Sequence, residues 1–290
     1  MRSLRVRESV SFSAPAFFMT MNAEISAVGE VVVLQTDIVW QDREANLRVV
    51  GAMLEEARPA RGALVVLPEM ALSGFSMDPE RSADDGRGVR ALGELARRYG
   101  VTMVAGVARW REDGAANEAV VLGPDGEEMG SYRKLHPFSP PGEGLVWRAG
   151  ERIELFRWGR FTVAPFVCYD LRFPEIFRAA AEAGADCFVV VANWPSRRTH
   201  HWSLLLRARA VENQAVVVGV NRCGTDPGFV YEGASAVIDE QGAVLAEAGA
   251  GVEVVRAAVD HEAVAAWREA FPALRDRRDV SALRVGNRME

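Results

Sequence analysis

Three polar side chains of different chemical type follow apolar runs that have the character of buried strands. Glu69 follows ALVVLP, Lys134 ends EMGSYRK and Cys168 ends FTVAPFVC. In sheet enzymes, reactive groups collect at the carboxyl ends of strands, where the chain turns into a loop or a helix. A carboxylate, an ammonium group and a thiol at such ends would supply a base, a cation and a nucleophile. The pattern therefore indicates nucleophilic catalysis.

Cys168 is the residue best placed to act as the nucleophile. It precedes Tyr169 and, one turn later, Pro174, a residue that marks a helix start. A thiol that faces helix N–H groups has a lowered pKa, and the N–H of Tyr169 would point toward the oxyanion formed when sulfur attacks a carbonyl. Taken alone, a free cysteine is more often a small buried apolar residue. We give that interpretation to Cys187 and Cys223, which lie within apolar runs.

Glu69 and Lys134 carry weaker signals when each is considered alone. A carboxylate after a fully apolar strand must be paired or must have a raised pKa, and bonding to loop amides explains Glu69 as well as catalysis does. A lysine at the end of a half-polar strand is ordinarily a solvated edge residue. The functional interpretation therefore depends on the residues that flank all three positions.

The elements that must position these side chains alternate between strand-like and helix-like patterns. Strands are predicted at 30–36, 63–68, 101–108, 118–123, 128–134, 161–168, 187–193, 215–221, 235–239 and 252–259. Helices are predicted at 44–57, 88–99, 174–183, 200–212 and 261–271. Several strands are apolar at nearly every position, which indicates burial on both faces, and PDGEE and DEQGA are typical of hairpin turns. The prediction is an α/β fold with mixed sheets and helices outside.

No linker or shift in composition divides residues 23–275, so the pattern predicts one domain there. Residues 1–22 show neither a helix nor a strand period and are interpreted as an appendage, with Met19 or Met21 as the natural beginning of the chain. The charged segment 276–290 is expected to be a tail that extends along a neighbour or is disordered.

Composition restricts the classes of partner. The 290 residues include 34 Lys+Arg and 40 Asp+Glu, for a net charge of −6, so the basic face that nucleic acid requires is not expected. No apolar run approaches the roughly 20 residues needed to cross a bilayer. The three cysteines and four histidines lack metal-ligand spacing, and we expect neither a metal nor a cofactor.

The flanking sequences resemble a known family. LPEMALSGF around Glu69, YRKLHPF around Lys134 and CYDLRFPE around Cys168 are similar to the three signature blocks of the nitrilase superfamily of carbon–nitrogen hydrolases. Further similarity through 192–224 and 267–279 extends the resemblance over nearly all of 29–279. The phrases PEMALSGFSM, CYDLRFP, ANWP and ARAVENQ are most similar to the ω-amidase group, which hydrolyses α-ketoglutaramate and related short ω-amides.

The resemblance implies a four-layer α-β-β-α sandwich, a homodimer formed through helices, and a cytoplasmic location. It also implies a role for each site residue. Glu69 would act as the base, Cys168 would attack the amide carbon to form a thioester, and ammonia would leave. Lys134 and the amide of Tyr169 would hold the oxyanion. Glu143, in SPPGEGLVW, occupies the place of the second glutamate of the family and would orient Lys134.

A short ω-amide with a terminal carboxylate requires a cation in the pocket, and a guanidinium binds a carboxylate with two parallel hydrogen bonds. Arg172, and Arg197 or Arg198 after ANWP, are the candidates; bonding to helix or loop carbonyls is an equal explanation for Arg172. The other candidates for substrate contact are Phe75, Phe138, Asn193 and Trp194. The aromatic members of this set could equally be core residues, and the asparagine could donate to substrate or only cap a turn.

Three alternative classes of protein are weighed against the ω-amidase interpretation. The first is another hydrolase with the same Glu-Lys-Cys set, which serves amidases for deamidated glutathione, hydrolases of N-carbamoyl compounds, and nitrilases. A non-catalytic scaffold would be expected to lack a member of the set, and all three are present. A thiol redox enzyme would need a resolving cysteine near Cys168, whereas Cys187 lies beyond a predicted helix.

Overall fold

Fourteen strands and seven α-helices form within residues 26–278, the part of the chain that this computed structural model describes. The strands are β1 (Val28–Gln35), β2 (Leu64–Leu67), β3 (Thr102–Arg111), β4 (Gly114–Leu122), β5 (Glu128–Arg133), β6 (Phe156–Trp158), β7 (Phe161–Val167), β8 (Cys187–Ala192), β9 (Val216–Asn221), β10 (Cys223–Thr225), β11 (Val230–Glu232), β12 (Ala236–Ile238), β13 (Val244–Glu247) and β14 (Glu253–Asp260). The helices are α1 (Arg43–Ala57), α2 (Pro79–Ser82), α3 (Arg87–Tyr99), α4 (Glu143–Val146), α5 (Pro174–Glu182), α6 (Thr199–Asn213) and α7 (His261–Ala270).

Two six-stranded sheets contain most of these strands. The first has the order β14-β1-β2-β3-β4-β5 and the second the order β13-β12-β9-β8-β7-β6. In each sheet three consecutive strands are parallel, β1 to β3 in the first and β7 to β9 in the second, and the flanking strands pair antiparallel. The parallel strands of each sheet therefore bring their carboxyl ends to one edge.

Alternating side chains of the first sheet belong to two different cores. Val31 and Val33 of β1 join the core between the two sheets, whereas Val32 and Leu34 pack with residues of α1 and α3. A strand has a side-chain period of two, so burial on both faces requires apolar residues at successive positions. This accounts for the continuous apolar runs in the sequence.

Helices cover the outer face of each sheet. α1 and α3 lie on the first sheet, and α5 and α6 lie on the second, where Phe177 and Trp202 are fully buried. α5 begins at Pro174, as predicted from the preference of proline for the first helical turn. The prediction of a four-layer α-β-β-α sandwich is confirmed.

The sequence patterns missed six of the short elements. The strands β6, β10, β11 and β13 and the helices α2 and α4 have only three or four residues, too few to show a period. Within residues 26–278, no helix is both long and apolar enough to traverse a bilayer. The predicted appendage 1–22, and all but the first three residues of the tail 276–290, lie outside the described residues.

Candidate active site

The three polar side chains singled out in the sequence meet at one end of the sandwich. Glu69 lies two residues after β2, Lys134 directly follows β5, and Cys168 directly follows β7. Because the two sheets face each other, strand ends from both sheets contribute to a common site. Nζ of Lys134 lies 2.8 Å from Oε1 of Glu69, and Cys168 is close enough to both groups for their charges to shift the pKa of its thiol.

Glu143, in the first turn of α4, completes a buried charge cluster. Its two carboxylate oxygens lie 3.0 and 2.9 Å from Nζ of Lys134, and one of them accepts a hydrogen bond from the backbone N–H of Phe138. Glu69 and Glu143 are 0% exposed and Lys134 is 1% exposed. Burial of two carboxylates with one ammonium group costs desolvation free energy, so it does little to stabilise a fold. Such a cluster indicates a functional site.

Asn117, which the sequence interpretation missed, links the two carboxylates. Its Nδ2 donates to Oε1 of Glu69 over 2.7 Å and to Oε1 of Glu143 over 2.9 Å. The residue lies in β4, and its carbonyl accepts from the backbone N–H of Lys134 over 3.0 Å, so strand pairing places it beside the lysine. An asparagine directly before the strand-like run EAVVLG was the available signal.

Asn193, at the end of β8, fixes Glu69 from the opposite sheet. Its backbone N–H donates to Oε2 of Glu69 over 2.8 Å, and its side-chain Nδ2 donates to the Glu69 carbonyl over 2.9 Å. Behind Glu69, β3 approaches so closely that a β-carbon on Gly106 would lie 2.3 Å from the Glu69 Cα. Glycine is required there because any side chain would displace the glutamate.

Cys168 begins a 3-10 turn, Cys168–Arg172, that precedes α5. Its φ of 49° lies in the left-handed region, which a residue with a β-carbon adopts at some cost in strain. Such a turn lifts the side chain out of the strand and toward the cavity. Tyr169 is the second residue of the turn, and the first N–H groups of a helical turn have no partner within it.

The electrostatics of the thiol differ from the sequence-based expectation. Burial and the nearby Glu69 carboxylate raise the pKa of Cys168 well above its ordinary value, and Lys134 offsets them only in part. The helix α5 begins six residues later and does not produce the lowered pKa that we expected. Burial by itself would lower the pKa of Lys134, but Glu143 and Glu69 raise it overall. The resting site therefore holds a neutral thiol and a charged lysine.

Asp170, two residues after Cys168, is a further buried carboxylate that the sequence interpretation did not identify as a site residue. It accepts hydrogen bonds from the hydroxyl of Tyr132 over 2.8 Å, from the backbone N–H of His136 over 2.9 Å and from the N–H of Val167 over 3.1 Å. Nδ1 of His136 also lies 2.8 Å from it. Asp170 thereby joins the turn that carries Cys168 to the chain on both sides of Lys134.

A narrow cavity leads to Cys168. The residues predicted to contact substrate that line it are Phe75, Phe138, Tyr169, Arg172, Asn193, Trp194 and Arg198. Phe229, from the turn between β10 and β11, also lines it and was not predicted. Arg197, the alternative to Arg198, is exposed and does not line the cavity.

The two arginines in the cavity wall, Arg172 and Arg198, lie against aromatic rings. The guanidinium carbon of Arg172 lies 4.7 Å from the ring centre of Trp194. The guanidinium carbon of Arg198 lies 5.5 Å from the ring centre of Phe138. Among the described residues, 26–278, no aspartate or glutamate lies within ion-pair distance of either guanidinium. Both cations are therefore available to an anionic group in the cavity.

Comparisons with a family profile and with individual proteins both identify carbon–nitrogen hydrolases as the relatives of this chain. The sequence profile of the carbon–nitrogen hydrolase family matches residues 30–269. The chain is 37% identical over 250 residues to the omega-amidase YafV of Yersinia enterocolitica, with 85% of this chain and 96% of that protein covered. It is 34% identical over 252 residues to the 2-oxoglutaramate amidase of Bacillus subtilis, with 85% and 97% covered.

A solved structure from Xanthomonas campestris, a carbon–nitrogen hydrolase superfamily protein with an arsenic adduct in its active site, has the same fold. Its TM-score is 0.81 at 34% identity, with 89% of this chain and 99% of that chain covered. The matched family region contains both sheets and every residue of the buried charge cluster. The chain therefore belongs to the carbon–nitrogen hydrolase family and is an amide-hydrolysing enzyme of the nitrilase superfamily.

Proposed function

We propose that the enzyme hydrolyses a short ω-amide of a dicarboxylic acid, of the α-ketoglutaramate type, to the carboxylic acid and ammonia. One observation carries the proposal: Cys168 lies beside the buried pair of Glu69 and Lys134 in a cavity whose wall contains two arginines that have no carboxylate partner within residues 26–278. The names of the relatives at 34 to 37% identity, omega-amidase and 2-oxoglutaramate amidase, support the same substrate class.

The first half of the proposed reaction forms a thioester. Because the raised pKa of Cys168 leaves its thiol neutral, attack requires a base, and Glu69 takes the proton as the sulfur bonds to the amide carbon. The amide oxygen becomes an oxyanion, which Nζ of Lys134 and the backbone N–H of Tyr169 stabilise. The carbon–nitrogen bond then breaks, and the nitrogen takes the proton from Glu69 and leaves as ammonia.

The second half releases the acid. Glu69 removes a proton from water as the water oxygen attacks the thioester carbon. The carbon–sulfur bond breaks, and the proton returns to the sulfur of Cys168. Glu143 contacts Nζ of Lys134 with both carboxylate oxygens, so its role in the proposal is to keep the lysine in position for the oxyanion in both halves.

The cavity favours a short substrate with a terminal carboxylate. It is narrow, and aromatic rings form much of its wall. Arg172 and Arg198 lie at the cavity and can receive the carboxylate at the far end of such a molecule. The narrow cavity disfavours deamidated glutathione, which is longer and branched. N-carbamoyl compounds and nitriles remain alternative substrates for the same catalytic residues.

Three further parts of the proposal concern the whole protein. We propose the domain boundaries 23–275, a cytoplasmic location and a homodimer that forms through its helices. Leu204 and Val211, on α6 in an outer layer of the sandwich, support the dimer because they are apolar yet 65% and 54% exposed.

Ammonia release from α-ketoglutaramate, succinamate, glutaramate and a deamidated-glutathione mimic tests the proposal. We expect activity on the three short ω-amides, its complete loss in Cys168→Ala, and its retention in Cys187→Ala, which removes a buried thiol outside the site. Activity confined to the glutathione mimic would contradict the substrate class, and an active Cys168→Ala enzyme would contradict the nucleophile.

The carboxylate-binding arginines have a matched control in Arg197, which is adjacent to Arg198 but does not line the cavity. We expect the KM for succinamate to rise about tenfold or more in Arg172→Ala or Arg198→Ala, since a charge-assisted hydrogen bond to a carboxylate contributes about 1.5–3 kcal/mol. Arg197→Ala is expected to leave KM unchanged. Unchanged KM in all three variants would show that neither cavity arginine binds the carboxylate.

A further inference from the structure

Arg172 has one side-chain hydrogen-bond partner among the described residues, and that partner is a histidine. Its Nη2 lies 3.3 Å from Nδ1 of His201, in the first turn of α6. The helix is firmly held at this point, because the next residue, Trp202, is 0% exposed and donates from Nε1 to the carbonyl of Ala234 over 2.7 Å. His201 therefore presents its ring to the guanidinium from a fixed support.

The chemistry of this contact specifies the protonation state of the His201 imidazole. A guanidinium is a donor only, so Nδ1 of His201 must accept, and a protonated imidazole has no acceptor. Partial burial, together with His200, Arg172 and Arg198, lowers the pKa of His201 below its ordinary value. Near neutral pH the ring is consequently the neutral form that the geometry requires.

A neutral acceptor differs from a carboxylate at the same position in one important respect. An aspartate or glutamate beside Arg172 would orient the guanidinium but would also occupy its fork and neutralise its charge, in competition with a substrate carboxylate. An imidazole orients one nitrogen of the guanidinium and leaves the positive charge in place. Trp194, whose ring centre lies 4.7 Å from the guanidinium carbon, supports its flat face without neutralising it.

We propose that His201 is a positioning residue for substrate specificity, which holds Arg172 over Trp194 so that its free donors face the carboxylate end of the substrate. This inference rests on the proposed function, in which a cavity arginine binds that carboxylate. Arg172 is four residues from Cys168 on the same 3-10 turn. His201 therefore determines the direction of the guanidinium relative to the nucleophile, and with it the preference for an amide that carries a carboxylate.

Two substrates of matched shape separate positioning from a general structural role. Succinamate and butyramide differ in that a methyl group replaces the carboxylate. In His201→Ala, we expect the KM for succinamate to rise about fivefold, which corresponds to the loss of one hydrogen bond, while kcat for succinamate and kcat/KM for butyramide stay within twofold of wild type. The control is His200→Ala, an exposed neighbour on the same helix, which is expected to match wild type with both substrates.

Two replacements test the acceptor itself. The side chain of asparagine places an oxygen close to the position of Nδ1, so His201→Asn is expected to restore most of the affinity for succinamate. His201→Asp supplies an acceptor with a negative charge and is expected to raise the KM for succinamate at least as much as alanine does. Recovery by asparagine combined with failure of aspartate would support a neutral acceptor.

The outcomes distinguish this inference from the proposed function. If wild type prefers succinamate to butyramide but His201→Ala has an unchanged KM, or weakens both substrates equally, the role of His201 is overturned and the proposed function stands. If wild type does not prefer succinamate, the proposed carboxylate subsite is wrong, and the role of His201 is overturned with it.

Discussion

The side-chain amide of Asn117 donates to Oε1 of Glu69 over 2.7 Å, and this oxygen also accepts from Nζ of Lys134 over 2.8 Å. The same amide nitrogen lies 2.9 Å from Oε1 of Glu143. Two buried carboxylates beside a single ammonium group repel each other, and a neutral donor between them reduces the repulsion without adding charge. Asn117 thus sets the relative positions of the base and the lysine.

We expect Asn117→Ala to lower kcat about tenfold to a hundredfold, since it removes hydrogen bonds to charged groups that contribute about 1.5–3 kcal/mol each. Asn117→Asp is expected to lower kcat further, because it adds a third carboxylate to the cluster. Steady-state ammonia release measures both. Asn46→Ala is the matched control: this buried asparagine bonds the backbone of Val39 and Leu72 instead, and its loss should reduce stability but not kcat. Equal kcat in all variants would refute the role of Asn117.

The raised pKa of Cys168 predicts a loss of stability at alkaline pH. The folded state keeps the thiol proton above the ordinary value of 9.0, whereas the unfolded chain releases it there. The contribution of the neutral thiol to the free energy of unfolding is therefore fully present below about pH 9 and is lost as the pH rises. From about pH 9 to about pH 10, we expect the free energy of unfolding of wild type to fall by about 1 kcal/mol more than that of Cys168→Ala, with a slope that approaches about 1.4 kcal/mol per pH unit as the unfolded thiol becomes fully ionised.

Urea unfolding over this pH range measures the difference. Cys223→Ala provides a comparison outside the active site, because the pKa of Cys223 is raised to about 11 by burial and Asp37. The contribution of the Cys223 thiol to the free energy of unfolding should decline with the same slope above about pH 9, and this decline should end near pH 11. Parallel stability curves for wild type and Cys168→Ala would show that the folded state does not retain the Cys168 proton.

The close approach of β3 to Glu69, the proposed base, predicts a strong effect of substitution at Gly106. A methyl group there would meet the Glu69 Cα at 2.3 Å, so Gly106→Ala must displace Glu69 or the strand, and we expect kcat to fall about a hundredfold or more. Gly51→Ala is the control, because a β-carbon at Gly51 meets nothing within 4 Å and alanine favours its helix by about 0.5–1 kcal/mol. Kinetics and thermal unfolding of both variants test this prediction, and an active Gly106→Ala enzyme would refute it.

From the sequence alone, local periodicity predicted an α/β fold with mixed sheets and outer helices, and the motifs around Glu69, Lys134 and Cys168 made these residues the candidate site. Apolar runs without alternation indicated strands buried on both faces, and β1, with Val31 and Val32 in different cores, shows why. The flanks of Glu69, Lys134 and Cys168 identified the family because each motif is a continuous stretch of the chain. Both inferences depend on neighbouring residues, which a sequence displays directly.

Contacts between distant segments were not accessible in this way. Asn117 lies 48 residues from Glu69, Asp170 lies 38 residues from Tyr132, and Phe229 reaches the cavity from a short hairpin with no visible period. The choice between Arg197 and Arg198 depended on how the turn before α6 is oriented, since the two residues are identical in type and adjacent in the chain.

The sequence by itself predicted an α/β fold with mixed sheets and outer helices from local periodicity. Its contiguous motifs, through their resemblance to a known family, implied the four-layer sandwich and the Glu-Lys-Cys set. Only the tertiary structure decided that the Cys168 thiol has a raised pKa, that Asn117 bridges two carboxylates and that Arg172 faces His201. The physical reason is that burial and electrostatic interaction depend on distances in space. Those distances are set by strand ends from two sheets that meet only when the chain has folded.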